Sequence, residues 1–517
     1  MNAPAPAVKL PVGDLVNLLT VGLHHAAVYF REHPRVAESA AEFARRLEEG
    51  LVGTGRDAMF LGVVRGRLVF EGRPLLGPTL IAKRLIESAR RFHCGGFLFR
   101  RGIGAVEACE FLRACVERGP APAGIEEARR LVVSLGISHV LLSSSHGERG
   151  WLGGDVGEGG DAAPAGPPTD PEHDPVQGYQ SLFGAVEASH AAAGREDALD
   201  VAAARAVVEG VVAAMDRDES ALLGLSRYSD YDFYSVGHSV RVSLFALVAG
   251  RRLGFDDARL VDLGTAALLH DAGKGFVPQE VLLKNGPLDE GERRAMARHP
   301  TLGAQALLRS PGASPLAVAI AFGHHLRPDL AGYPALRPWG RAGRLTALVH
   351  VCDVFEALTA VRPYKRPRSP RDAYRVMLGD EGAFEPGAFA AFVSAVGFHP
   401  PGTRVELRGG VRGVVVRAGD HPARPVVRLT HDASGASLRE EDRRVIDLGA
   451  DVGTDIDEDG AYADLRDGPV ADLGPEDGGD ADPGETDVAA TLSHVLDAAD
   501  VMGDAAGGCA TGAGGCA

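Results

Sequence analysis

The chain has 517 residues, of which 45% are hydrophobic and 24% charged, a composition typical of a soluble globular protein with two or three domains. Its formal net charge of −16 lies in residues 451–504, which contain 17 acidic residues and one Arg, while the rest carries 53 basic and 53 acidic side chains. Because binding to a phosphate backbone needs a basic face, this distribution argues against DNA or duplex RNA as the main partner.

Three further features of the composition bear on cellular location. No apolar run approaches the roughly 18 residues of a transmembrane helix, which argues against membrane insertion. The first residues lack the basic start and apolar segment of a signal peptide. The six Cys form no CxxC pair, so we expect free thiols in a cytoplasmic protein.

Residues 1–145 predict a small α+β domain. Apolar residues at helical spacing indicate two helices between residues 10 and 50, broken near His33-Pro34. The next predicted elements are a hairpin that turns at residues 65–67, a helix at 80–92, a strand at 96–99 and a helix at 105–116. No cluster of ionisable side chains suggests catalysis here, so we expect this domain to regulate or localise the protein.

The rest of the chain divides into four stretches of different composition. Residues 146–175, rich in Gly, Pro, Asp and Glu, predict a flexible linker. Helical patterning from 176 to 400 predicts an all-α domain. Residues 401–449 alternate Val and Leu with polar residues around Gly turns, which predicts a small β unit. The Gly- and Asp-rich residues 450–517 predict a disordered acidic tail.

The predicted all-α domain concentrates side chains that bind divalent metals. They are His238, His270, Asp271, His299, His324, His325 and Asp353. Neutral imidazole and carboxylate are ligands of Mn, Fe and Zn. His238 shares a predicted helical stripe with Val242 and Phe245, and Asp271 continues the stripe of Leu260 and Leu263. Ionisable groups in such stripes are costly unless they are paired or metal-bound. A single buried His is usually only hydrogen-bonded, but the whole set favours a metal site with two adjacent positions.

Four segments of the same domain carry short motifs in a fixed order. They are LLHDAGKGFVPQEVLLKNGPLDEGE, MARHPTLGAQAL, GHHLRPDLAGYP and DVFEALTAVRPYK. In this order, from about residue 231 to 377, they resemble the HD-GYP family of cyclic di-GMP phosphodiesterases. The resemblance implies an all-helical, metal-dependent phosphohydrolase domain of the HD type.

The resemblance also implies a set of metal ligands. Two divalent transition metal ions are expected, with Fe or Mn as the ions. The first would be held by His238, His270, Asp271 and Asp353. Asp271 would bridge to the second, held by His299, His324 and His325.

The implied chemistry is hydrolysis of a phosphodiester, with Asp271 and Lys274 as catalytic residues. Two bridged cations would lower the pKa of a bridging water, and the resulting hydroxide would attack phosphorus in line. The cations and Lys274 would offset charge on the non-bridging oxygens.

The resemblance further implies a binding site for cyclic di-GMP. Arg362 and Lys365, together with Lys274, would bind phosphate or guanine groups. Gly332, Tyr333 and Pro334 match the loop that gives the family its name. This loop, or the amino-terminal domain, is also where we expect contacts with other signalling proteins.

The chain departs from the family pattern at three places. Leu326 stands where Glu usually follows the paired His, and Leu330-Ala331 replace Gly-Ser in the loop. Tyr234 stands where some members carry a Glu that completes a third metal site, so two metals are expected. These departures keep two alternatives open: a catalytically weak binding or signalling module, and an HD hydrolase of another phosphoester.

Overall fold

The structure is a computed structural model, described here for residues 10–29, 33–64, 66–117, 119–144, 175–225, 234–282, 284, 286–336, 340–360, 368–450 and 456. The described residues fall into two compact units, one within Met1–Asp170 and one within Pro171–Ala517. The predicted linker and acidic tail lie almost wholly outside the described residues. In the part of the chain that the structure describes, no helix is both long and apolar enough to cross a membrane.

The amino-terminal unit is an α+β structure, in agreement with the prediction. Its elements are α1 (Val12–Val28), α2 (Pro34–Thr54), β1 (Ala58–Val64), β2 (Arg67–Phe70), β3 (Arg73–Pro74), α3 (Leu76–Ile81), α4 (Lys83–Arg91), β4 (Gly96–Arg100), α5 (Ala105–Val116), α6 (Ile125–Ser134) and β5 (Val140–Ser143). The five strands form an antiparallel sheet in the order β3-β2-β1-β4-β5. Phe99 packs edge-on against Phe43 and Phe111 in the core, with ring centroids 5.5 and 5.6 Å away.

The first two helices and the hairpin follow the prediction, whereas the single helix predicted at 80–92 is confirmed only for Lys83–Arg91. The structure has two helices, α3 and α4, separated at Ala82. Ala82 leaves the helical conformation with ψ 28°. Leu80 before the break and Leu85 after it are both fully buried.

The second unit begins with helices only. They are α7 (Pro175–Gly194), α8 (Val201–Leu225), α9 (Tyr234–Arg252), α10 (Asp257–Leu268), a 3₁₀ helix (Ala272–Phe276), α11 (Gln279–Leu282), α12 (Glu290–Met296), α13 (His299–Arg309), α14 (Pro315–Gly323), α15 (Arg344–Thr359), α16 (Pro370–Gly379) and α17 (Pro386–Val396). As predicted, no strand interrupts them among the described residues of this stretch. Nearly every side chain described on α9 and ten of the sixteen on α15 are buried, which places these two helices at the centre of the unit.

A small antiparallel sheet follows the helices. Its strands, in the order β6-β7-β8-β9, are β6 (Arg404–Glu406), β7 (Arg412–Arg417), β8 (Val426–His431) and β9 (Val445–Asp447). Alternating residues such as Val405, Val415 and Val427 form its apolar core. The observed strands agree with the β pattern in the sequence.

Candidate metal centre

The structure brings all seven predicted ligand residues into one cluster, although they come from five places in the chain. His238 lies in α9 and Asp353 in α15, His270-Asp271 link α10 to the 3₁₀ helix, His299 begins α13, and His324-His325 follow α14. Six of the seven are buried. The exception is His325, whose side chain is 23% exposed, so the cluster is accessible from that side.

The segment that carries His270 and Asp271 differs from the prediction. Helix α10 ends at Leu268, so the expected helical stripe through Asp271 is wrong. The chain tightens into a 3₁₀ turn that packs directly on the start of α13. An added Cβ at Gly273 would lie 1.9 Å from the carbonyl oxygen of His299, so this approach is possible only because Gly273 has no side chain.

Asp271 lies between two pairs of imidazoles. Its Oδ1 atom is 3.2 Å from His299 Nε2 and 3.7 Å from His324 Nε2. Its Oδ2 atom is 3.4 Å from His270 Nε2 and 3.6 Å from His238 Nε2. The two oxygens of one carboxylate therefore face different histidines, which is the arrangement that a bridging ligand requires.

Asp353 makes a second connection within the cluster. Its Oδ1 atom is 2.9 Å from His238 Nε2, and its Oδ2 atom is 3.5 Å from His325 Nδ1. One carboxylate, that of Asp353, therefore contacts both His238 and His325.

Three imidazoles are oriented by main-chain carbonyl groups. The contacts are His270 Nδ1 to Ala267 O at 2.7 Å, His299 Nδ1 to Met296 O at 2.8 Å and His324 Nδ1 to Ala321 O at 3.0 Å. A carbonyl oxygen has no proton, so each Nδ1 must donate, and in the neutral form of the imidazole the lone pair is then on Nε2. The main-chain carbonyls therefore prepare Nε2 for a metal ion.

The cluster fits a divalent cation. His270 Nε2 and Asp271 Oδ1 are buried and form no hydrogen bond with any described residue, an arrangement that is costly without a further partner. Ligand atoms lie within 4.8 Å of one another in four groups: His299, His324 and His325; His238, His270 and Asp353; His270, Asp271 and His324; and His325, His350 and Asp353. Imidazole with carboxylate is a donor set for first-row transition metals.

The electrostatics favour the ligand forms of these side chains. Burial lowers the pKa of His324 well below its ordinary value and that of His325 to about 3, so both imidazoles are neutral. Burial acts against the charge of Asp271, but Lys274 and His270 outweigh it and hold the pKa of the carboxyl well below its usual range. His324, His325 and Asp271 are thus ready to bind a cation without first losing a proton. His238 differs, because its burial opposes the charged form but Glu356 and Asp353 outweigh burial and raise its pKa to about 9, so this imidazole must lose a proton when a cation binds.

Comparison with known proteins bears directly on this cluster. The family model described as an HD domain matches residues 228–386. A cyclic di-GMP phosphodiesterase of Pseudomonas aeruginosa is 39% identical over 42% of this chain and 53% of its own length. This chain carries an HD domain.

Two further relatives are similar to part of this chain. A 3'3'-cGAMP-specific phosphodiesterase of Vibrio cholerae is 35% identical over 32% of this chain and 36% of its own. A cyclic di-GMP phosphodiesterase of Thermotoga maritima is 33% identical over 33% of this chain and 46% of its own. The chain therefore spans between about a third and a half of the length of these relatives.

The GYP loop of this HD domain lies against the exposed side of the cluster. The Tyr333 ring lies 4.5 Å from that of His325, and the Tyr333 amide donates to the His325 carbonyl oxygen at 3.1 Å. An added Cβ at Gly332 would lie 2.2 Å from that same oxygen. The close contact between the loop and the paired His therefore requires Gly at this position.

The departure from the family pattern at Leu330 lies in the segment that precedes Gly332 in this loop. Leu330, 45% exposed, has φ +67°, a left-handed conformation that Leu rarely adopts. Arg327 holds the loop by bonding both carboxylate oxygens of Asp380 at 2.8 Å and by pairing with Asp329. The loop thus keeps a conformation suited to Gly although the residue there is Leu.

Not every predicted site residue can be located. Lys274 lies beside the cluster, where its ammonium donates to Asp271 Oδ2. Arg362 and Lys365, the predicted substrate-binding residues, lie outside the described residues, and the side chain of Tyr234 is not described.

Two residues without a predicted role contact the cluster. His350 is buried, and its Nδ1 donates to the carbonyl oxygen of His324 at 2.7 Å. Glu356 is buried against His238. Both stand three residues from Asp353 on α15, so their spacing in the sequence was the signal that could have identified them.

Proposed function

We propose that this chain is a metal-dependent phosphodiesterase that hydrolyses cyclic di-GMP in bacterial second-messenger signalling. The observation that carries the proposal is the gathering of all seven His and Asp side chains in one cluster, in which the Nε2 atoms of four histidines face the carboxylate of Asp271. Relatives of the same domain are named as phosphodiesterases of cyclic dinucleotides.

The proposed metal ligands are the seven His and Asp residues of the cluster, and the side chains around them have separate roles. Bound metal ions would polarise a phosphate oxygen and lower the pKa of a water molecule. Asp271 keeps its charge beside Lys274, and the Lys274 ammonium adds positive charge where a phosphodiester gains negative charge during attack. His325 and Tyr333 border the accessible side, where a cyclic dinucleotide would enter.

The proposal is tested by incubating the full chain with cyclic di-GMP and separating the products by chromatography. We expect metal-dependent loss of cyclic di-GMP. The chromatogram shows whether the product is the linear dinucleotide or GMP. The same assay with 3'3'-cGAMP tests the second candidate substrate, which the Vibrio cholerae relative favours. Binding of the dinucleotide without turnover would instead support the binding-module alternative. Turnover of another phosphoester alone would support the alternative of an HD hydrolase with a different substrate.

The metal content is the next expected result. We expect two first-row transition metal ions per chain, Fe or Mn, because Asp271 presents its two oxygens to different histidines. No carboxylate stands at position 234, so a third ion is not expected. Elemental analysis of anaerobically prepared protein measures this number, and a content of one ion or none would contradict it.

Leu330→Gly should stabilise the protein. The left-handed conformation costs a non-Gly residue about 1–2 kcal/mol. The greater freedom of Gly in the unfolded chain returns roughly 0.5–1 kcal/mol. We therefore expect a net increase of about 0.5–1 kcal/mol in the free energy of unfolding, measured by denaturant titration.

Leu308→Gly is the matched control for this variant. Leu308 is also exposed but lies within α13, where Gly should destabilise by about 1 kcal/mol. Equal destabilisation by both variants would show that the conformation of Leu330 carries no strain.

We also propose that residues 1–145 regulate or localise the enzyme. Among the described residues of this part, no group of His, Cys, Asp and Glu is close enough to hold a metal ion, in contrast to the HD domain. We propose contacts with other signalling proteins through this part or through the GYP loop, where Leu330 is exposed.

A further inference from the structure

His238 differs from the other ligands in what lies behind it. Its Nε2 atom faces Asp353 at 2.9 Å, while its Nδ1 atom is hydrogen-bonded to Glu356 Oε2. The other oxygen of Glu356 accepts a hydrogen bond from Arg241 Nε at 2.5 Å. The four side chains form one continuous series, and none is more than 6% exposed.

The spacing of these residues on two packed helices produces the series. His238 and Arg241 stand three residues apart on α9, and Asp353 and Glu356 stand three residues apart on α15. Residues at this spacing share one face of a helix. Two such faces in contact therefore place the carboxylate of Glu356 between the imidazole and the guanidinium.

Glu356 determines which nitrogen of His238 is available to a cation. A carboxylate that accepts a hydrogen bond from Nδ1 keeps the proton on that atom, so the lone pair of the neutral imidazole is on Nε2. Nε2 is the atom that faces Asp353 and Asp271. In His270, His299 and His324 the proton is held on Nδ1 by neutral carbonyl groups. In His238 it is held by a charged carboxylate, which makes Nε2 a stronger electron-pair donor to a metal ion.

Arg241 explains why a second carboxylate can be buried so close to the cluster. An isolated buried carboxylate is strongly destabilising, and an ion pair with good geometry offsets most of that cost. The guanidinium bonds Oε1 of Glu356 and the imidazole bonds Oε2, so Arg241 balances the charge without competing for the Nδ1 proton.

We propose that Glu356 is a positioning residue of the metal centre, which holds the Nδ1 proton of His238 and thereby presents Nε2 to the cation bound beside Asp353. The inference rests on the proposed function, because it takes the cluster to be a metal site. It adds a determinant of metal affinity that is not itself a ligand.

The test is the affinity of the full chain for Mn(II). Metal-free wild-type protein, Glu356→Gln and Glu356→Asp are titrated with Mn(II), and free Mn(II) is measured by electron paramagnetic resonance. We expect Glu356→Gln to bind Mn(II) about 10–100-fold more weakly, the usual effect of removing a partner of a metal-bound His. Glu356→Asp keeps the charge and should recover part of the affinity.

Glu385→Gln is the matched control. Glu385 caps α17 by accepting from the amides of Gly387 and Ala388 at 3.2 and 2.6 Å. Its replacement should lower the melting temperature and leave Mn(II) affinity unchanged, which separates loss of stability from loss of affinity. A folded Glu356→Gln protein with wild-type affinity would overturn the proposal.

A measurement on the wild-type protein covers the case in which Glu356→Gln does not fold. In protein loaded with diamagnetic Zn(II), ¹⁵N spectra of the imidazoles identify the protonated nitrogen of each His, with His238→Asn used for assignment. We expect a proton on Nδ1 of His238 and metal on Nε2, and the reverse would overturn the proposal.

Failure of this inference is distinguishable from failure of the proposed function. Tight Mn(II) binding without hydrolysis of a cyclic dinucleotide would contradict the proposed phosphodiesterase function. The Mn(II) titration of the Glu356 variants would still decide the role of Glu356. A wild-type chain that does not bind Mn(II) would overturn both.

Discussion

Asp271→Asn should remove both metal ions and abolish hydrolysis. The carboxylate is 1% exposed, and its two oxygens face His299 and His324 on one side and His270 and His238 on the other. An amide has no charge and only one acceptor oxygen, so it cannot serve two cations. Because a ligand is lost, we expect activity to fall by more than the roughly 100-fold seen for outer partners.

The measurements are elemental analysis and the cyclic di-GMP assay on purified protein. Asp262→Asn is the matched control, since Asp262 also lies in the α10 region but is partly exposed and pairs with Arg205. Surface pairs of this kind contribute about 0–1 kcal/mol, so this variant should keep its metals and activity. Full metal content in Asp271→Asn would show that Asp271 does not bridge.

Gly273→Ala should destabilise the domain strongly. The new Cβ would lie 1.9 Å from His299 O and 2.6 Å from Gly303 N, distances that real structures do not contain. Both neighbours are main-chain atoms, so no rotamer change relieves the overlap, and the 3₁₀ turn or α13 must move. We expect a loss of about 3 kcal/mol or more, which lowers the melting temperature by roughly 6–12 °C.

The same displacement should weaken metal binding, because His299 begins the helix that is pushed away. Gly210→Ala is the control, since an added Cβ there meets no atom within 4 Å in the part of the chain that the structure describes. Gly210 lies within α8, where Ala should stabilise by about 0.5–1 kcal/mol. Calorimetry that gave equal melting temperatures for the two variants would contradict the close packing at Gly273.

Part of the site was predictable because it depends on local patterns. His238 and Asp353 lie on helices whose apolar spacing is visible in the sequence, and the adjacent pairs His270-Asp271 and His324-His325 are unusual enough to indicate metal ligands. The helical and strand segments after residue 175 follow the same kind of pattern. These features need only the residues near them in the chain, so periodicity and spacing suffice to find them.

The remaining features depend on contacts between distant segments, which periodicity does not encode. The end of α10 at Leu268 follows from the approach of Gly273 to the main chain of His299, 26 residues away. The contact of Glu356 with His238 joins α15 to α9, and the left-handed conformation of Leu330 is maintained by a loop that Arg327 ties to Asp380. The sequence by itself thus determined the helices, the ligand types and the order of the motifs. Only the tertiary structure decided which oxygen faces which imidazole and which carboxylate supports His238, because those choices arise when helices far apart in the chain pack together.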